Sequence, residues 1–253
     1  MKNKSRFLVV SVTAGVLSLA SVAHADPVLY ESGINVDGDV SPGGVDDSAF
    51  DFITGLGTIS VTVSGEGDHT VLGFFDHESD EETNTFFNEI GLVSGTPQDD
   101  ADGTQTWEID EPGFGFDYIG DIFFNWENSD ATSGSLLDNQ IFFDAFTGTS
   151  LTDFGRDADD VSMAIGWDFS LAAGDIATIE FLLATTAPTS GFYLQQIDAE
   201  TEDSVFFSSA LSIEGDEPPP PPPPTPVPEP GTLLLLGAGL LGIGASRRRL
   251  IKR

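Results

Sequence analysis

Between residues 26 and 213 apolar and polar positions mostly alternate with a period of two, and no apolar stripe of helical period runs for three turns. Thr58-Ile59-Ser60-Val61-Thr62-Val63 keeps the alternation for six positions, which predicts a strand with one wet face. Gly65-Glu66-Gly67-Asp68 has turn chemistry, and 69–75 reads as the return strand of a hairpin. Further strands are predicted at 28–32, 49–53, 106–109, 119–126, 140–146, 161–169, 176–185, 191–197 and 205–213, with 83–92 as a modest helix candidate. Short strands at this spacing predict an all-β body, a single β-sandwich with Greek-key or jelly-roll connections.

The chain has 20 Phe and 3 Trp, the expected core. Doublets at Phe74-Phe75, Phe86-Phe87, Phe123-Phe124, Phe142-Phe143 and Phe206-Phe207 put one ring on each face of a strand. Either both faces of those strands are covered, or rings are exposed where they can stack on sugars.

Both ends depart from this pattern. Lys2, Lys4 and Arg6 precede a largely apolar stretch at 7–20, and Ala23-His24-Ala25 forms an A-x-A cleavage site that leaves Asp26 as the mature N-terminus. That is a signal peptide for Sec-type export machinery and signal peptidase. After the body, Glu214-Gly215-Asp216-Glu217 leads into seven consecutive prolines, 218–224, a polyproline II spacer of roughly 20–30 Å. The chain closes with Val227-Pro228-Glu229-Pro230-Gly231-Thr232, an apolar run at 233–245, and the basic residues Arg247, Arg248, Arg249, Lys252 and Arg253. The apolar run predicts a short transmembrane helix, with the basic cluster kept on the cytoplasmic side. From Thr232 to Ala245 such a helix spans roughly 21 Å against a hydrocarbon core of about 30 Å, which suits a transient stop better than a permanent anchor.

This three-part tail resembles the PEP-CTERM sorting signal of Gram-negative bacteria. The resemblance implies that an exosortase, a membrane-embedded enzyme similar to a cysteine transpeptidase, processes the tail and passes the protein to the cell surface. The expected organisation is a signal peptide at 1–25, an acidic β-sandwich at 26–213, an acidic and proline-rich linker at 214–227, and the sorting signal at 228–253.

Charge sharpens the account of the body. The chain has 9 Lys and Arg, of which three lie in the signal peptide and five in the tail, so Arg156 is alone in the body. Of the 42 Asp and Glu, Glu229 is the one outside 26–217, and the body's formal charge is therefore about −40. Such a surface repels phosphate backbones, which excludes nucleic acid as a partner. Three readings of the acidity stand side by side: solubility in a salty medium, Ca²⁺ binding, and a catalytic carboxylate pair.

Cysteine is absent, which removes disulfides, thiolate nucleophiles and Cys-ligated zinc. His77-Glu78-Ser79-Asp80-Glu81 begins like H-E-x-x-H, but Glu81 stands where the second histidine belongs. No G-x-S-x-G elbow and no phosphate-cradling G-x-x-x-x-G-K-[ST] loop is present, and without lysine the body has no Schiff-base chemistry. Calcium has better candidates: Asp37 and Asp39 with Asp46 and Asp47, then Asp157, Asp159 and Asp160, and the denser run Asp76, Glu78, Asp80, Glu81, Glu82. None has EF-hand spacing. The expectation is that at least one such loop binds Ca²⁺ with millimolar-class affinity.

The body has a resemblance of its own. The stretches 74–78, 84–89, 95–97, 107–113, 159–169 and 171–175 look like a body type found ahead of PEP-CTERM tails, which implies export and a β fold but no activity. The expected function is a nonenzymatic structural or adhesive role at the cell surface or in exopolysaccharide. The rivals are a carbohydrate-binding module, which predicts coplanar exposed rings, and a carbohydrate-active enzyme with carboxylates about 5–10 Å apart across a cleft.

Overall fold

The computed structural model describes residues 27–78, 89–111, 121–144, 149–150, 160–199, 201–215 and Leu240. The chain divides into two compact units, Met1–Gly215 and Asp216–Arg253. In the first, twelve strands and one short helix follow the order β1 (Val28–Val36), β2 (Val45–Asp51), β3 (Leu56–Ser64), β4 (Gly67–Glu78), β5 (Glu89–Ser94), β6 (Thr104–Asp110), α1 (Ile122–Asn128), β7 (Phe143–Asp144), β8 (Thr149–Ser150), β9 (Ser162–Leu171), β10 (Ile176–Ala184), β11 (Tyr193–Asp198) and β12 (Ser204–Glu214). They build a four-stranded sheet, β1-β4-β9-β6, and a six-stranded sheet, β2-β3-β10-β12-β11-β5, with every strand pair antiparallel; β7 and β8 form a separate ribbon. The body is all-β apart from α1.

One core lies between the two sheets. Val71, Phe75, Ile109, Met163, Ile165 and Trp167 come from the four-stranded sheet, and Ile59, Val61, Ile179, Phe181, Leu194 and Phe207 meet them from the six-stranded one. Phe75 and Phe207 touch edge to face, ring centres 5.0 Å apart.

The 58–63 and 69–75 strands form no hairpin. β3 pairs with β2 and β10, whereas β4 pairs with β1 and β9. The turn between them, with Gly65 at φ +125° and Gly67 at φ +136°, carries the chain from one sheet to the other. Periodicity specified two strands and which residues face inward; it did not say that Val61 and Val71 approach the same core from opposite sides.

A second correction concerns 119–126. Residues 122–128 are helical, with Asp121 as N-cap, its carboxylate accepting from the Phe123 amide at 2.9 Å. Ile122, Asn125 and Trp126 are buried, an i, i+3, i+4 stripe hidden in a run of aromatics. α1 lies on the outer face of the four-stranded sheet, where Ile122, Trp126 and Leu137 enclose Leu72, Phe74 and Ala164. Asn35 closes its far end, donating to the Trp126 carbonyl at 2.6 Å and the Ser129 carbonyl at 3.1 Å.

The helix candidate at 83–92 fails where it is described, since 89–92 belong to β5. Of the strand expected at 140–146, Phe143–Asp144 is extended, while Ile141 and Phe142 run beside β6 and cover part of its edge through backbone bonds to Ile109. The strand expected at 49–53 lies earlier, at Val45–Asp51, and 52–55 form a turn. Among the described residues no helix is long and apolar enough to cross a membrane. The signal peptide, the proline run and the tail, apart from Leu240, lie outside the described residues.

Candidate metal centre

Asp76 and Glu78 sit two apart near the end of β4, so both project from the same face. β9 pairs with β4 in the register Asp76↔Ser162, which brings Asp160, two residues before Ser162, level with Glu78. One carboxylate oxygen from each of Asp76, Glu78 and Asp160 lies within 4.8 Å of the others. Among the described residues this is the group of three or more acids or histidines with ligand atoms in mutual reach. It joins two acidic stretches that lie more than 80 positions apart in the chain.

Asp76 is 1% exposed, and its Oδ1 accepts no hydrogen bond. Burial, followed by the charges of Asp160, Glu78 and Glu31, pushes its carboxyl from 3.8 up to about 8. Glu89, the first residue of β5, brings a fourth acid from the other sheet. Its Oε2 accepts from the Val161 amide at 3.1 Å and from Gln196 Nε2 at 2.5 Å. Burial and the charges of Glu78, Asp160 and Asp76 hold Glu89 well above the ordinary range, against the lowering effect of the Val161 amide. Gln196 Nε2 also donates to the His77 carbonyl, which ties β11 to β4 beside the acids.

His77 brings no positive charge. Its side chain is on the opposite face of β4, with Nε2 3.1 Å from the Gly55 carbonyl, and burial lowers its pKa to about 4. The described residues of the body contain neither Lys nor Arg. The centre is a set of hard carboxylate oxygens, the ligand type that suits a hard cation.

The other candidate ligands stand elsewhere. Asp37 is engaged with His69 Nδ1 and the Thr70 amide, both at 2.8 Å. Asp39 and Asp46 accept from the amides two residues on, at Ser41 (2.9 Å) and Ser48 (3.0 Å), as turn residues do. Asp47 is exposed on β2. The structure does not gather these four into one set of ligand atoms. Asp157, Asp159, Asp80, Glu81 and Glu82 lie outside the described residues. Glu89 went unread as a member of the site because its place depends on the fifth strand lying beside the end of the ninth. No short-range pattern encodes that.

A separate acidic group sits under α1. Glu108 is buried, and Asn125 Nδ2 reaches both of its oxygens, at 2.9 and 3.1 Å. Burial raises Glu108 to about 8 and neighbouring Asp110 to about 7.

Comparison with known proteins bears on the tail. Residues 226–249 match the family model described as the PEP-CTERM protein-sorting motif. The chain carries a PEP-CTERM protein-sorting motif. The match includes Val227 to Thr232 and extends through Arg249, and it marks an exported protein that an exosortase sorts to the cell surface. No curated protein and no solved structure matches the chain. The motif defines a destination, and the body's chemistry rests on its own geometry.

Proposed function

We propose that the body is a nonenzymatic structural or adhesive component of the cell surface or its exopolysaccharide layer. Sec-type machinery delivers it, signal peptidase cuts after Ala25, and the exosortase cuts near Pro230 after the apolar run at 233–245 has paused in the membrane.

The observation that carries this reading is the outer face of the six-stranded sheet. Cross-strand rows there run Thr62–Thr178–Ser212, Ser60–Glu180–Ala210 and Thr58–Leu182–Ser208–Tyr193. Hydroxyl groups on a broad sheet suit extended contact with a hydroxyl-rich polymer through many weak hydrogen bonds. Tyr193 and Phe206 on this face meet at 72°, edge to face, unlike the coplanar platform of a sugar-stacking module. The carboxylates of the acidic centre lie within 4.8 Å and include a fully buried member, an arrangement ill suited to flanking a glycosidic bond.

The test is retention of the exported protein on exopolysaccharide from its own host. Thr178→Glu with Ser208→Glu is expected to cut retention at least tenfold while Asp46→Asn leaves it intact. Unchanged retention in the double variant overturns the adhesive face, and new reducing ends in the polymer overturn the nonenzymatic reading. Intact mass of the host-derived protein checks the processing. A chain still ending at Arg253 is the contrary result.

A further inference from the structure

Three carboxylates crowd the end of β4, and a fourth stands behind them. Asp76 is the decisive member: it is 1% exposed and directed into the group, with an oxygen that accepts no hydrogen bond. A buried acceptor left unmatched is costly, the more so when it is charged. We propose that Asp76, Glu78 and Asp160 bind one divalent cation, Ca²⁺ in preference to Mg²⁺, and that this ion fastens the end of β4 to the chain entering β9.

Coordination chemistry favours the larger ion. Ca²⁺ holds oxygens at about 2.3–2.6 Å, so ligands on opposite sides of it stand up to about 5.2 Å apart; Mg²⁺, at about 2.0–2.1 Å, reaches about 4.2 Å. The three oxygens here lie within 4.8 Å of one another, inside the span that Ca²⁺ bridges, and Ca²⁺ accepts such an all-carboxylate set more readily than Mg²⁺, which keeps several of its waters. Glu89, held by the Val161 amide and Gln196, lies close enough to the three acids to add to the negative field. The ion thereby also steadies the place where the two sheets meet. The site lies on the body's own strands and is independent of how the tail is processed.

The test is calcium titration of the purified full chain, by calorimetry and by thermal unfolding, at constant ionic strength with EGTA, Mg²⁺ and Na⁺ controls. One Ca²⁺ per chain is expected, with millimolar-class affinity and a Tm rise of about 3–6 °C at 10 mM. Asp76→Asn is expected to abolish that rise and to leave the calcium-free Tm no lower than wild type, because it relieves repulsion. Glu78→Gln, at a half-buried position, weakens binding at least tenfold and decides the matter if Asp76→Asn does not fold. Asp46→Asn, exposed on β2, keeps the full response. Superimposable wild-type curves in Ca²⁺ and EGTA overturn the proposal. So does a calcium response that survives Glu78→Gln, and an equal response to Mg²⁺ overturns the stated preference.

Discussion

Trp167 on β9 donates its indole N–H to the Ser209 hydroxyl on β12 at 2.7 Å, a hydrogen bond that crosses between the two sheets. Trp167 is 1% exposed, so no water replaces Ser209 as acceptor. Ser209→Ala is therefore expected to cost about 1–3 kcal/mol, the range for stranding a buried donor. Urea unfolding checks this: the midpoint falls and the slope stays constant.

The doublet Phe74-Phe75 faces two different interiors. Phe75 packs in the inter-sheet core, and Phe74 lies under α1, with ring centres 4.7 Å from Phe123 and 5.7 Å from Trp126. Alanine at either position is expected to cost about 3–5 kcal/mol. Phe206→Ala, on the outer face of the other sheet, costs clearly less than Phe207→Ala. Equal losses at all four positions would contradict the assignment of faces.

Gly33 is where β1 makes room for α1. A Cβ there would overlap the Trp126 ring. Gly33→Ala is expected to destabilise by about 1–3 kcal/mol through overpacking. Combining it with Trp126→Leu recovers part of the loss relative to additivity, which a double-mutant cycle in chemical denaturation measures.

Acid is expected to stabilise this body through Glu108 and Asp110. Glu108 rises from 4.5 to about 8 and Asp110 from 3.8 to about 7, chiefly through burial. Between those limits the native state holds protons that the unfolded chain has released, so stability is full below about pH 4 and falls as pH rises toward 8. Glu108→Gln is expected to flatten that decline by up to about 1.4 kcal/mol per pH unit. Calcium-free unfolding at pH 5, 6, 7 and 8 tests it, and parallel profiles for variant and wild type would refute the role of Glu108.

Much of this architecture was legible because strand periodicity is local. The alternation in 58–63 appears directly as buried Ile59, Val61 and Val63 in β3. Partnership was not legible, because Gly65 and Gly67 serve a hairpin and an arch between sheets equally well. Ile122 to Trp126 read as a strand because Phe123 and Phe124 filled the polar positions of the helical pattern; Asp121, the cap, was the overlooked cue. Composition identified the acids, but their grouping depended on a β4–β9 register that only the folded chain possesses.

The place of β12 carries a consequence for timing. It is the last strand of the body, yet it lies inside the six-stranded sheet, between β10 and β11. That sheet stays split until the residues up to 214 are free to pair, and the inter-sheet core waits with it. The body's long-range pairings therefore form late and together.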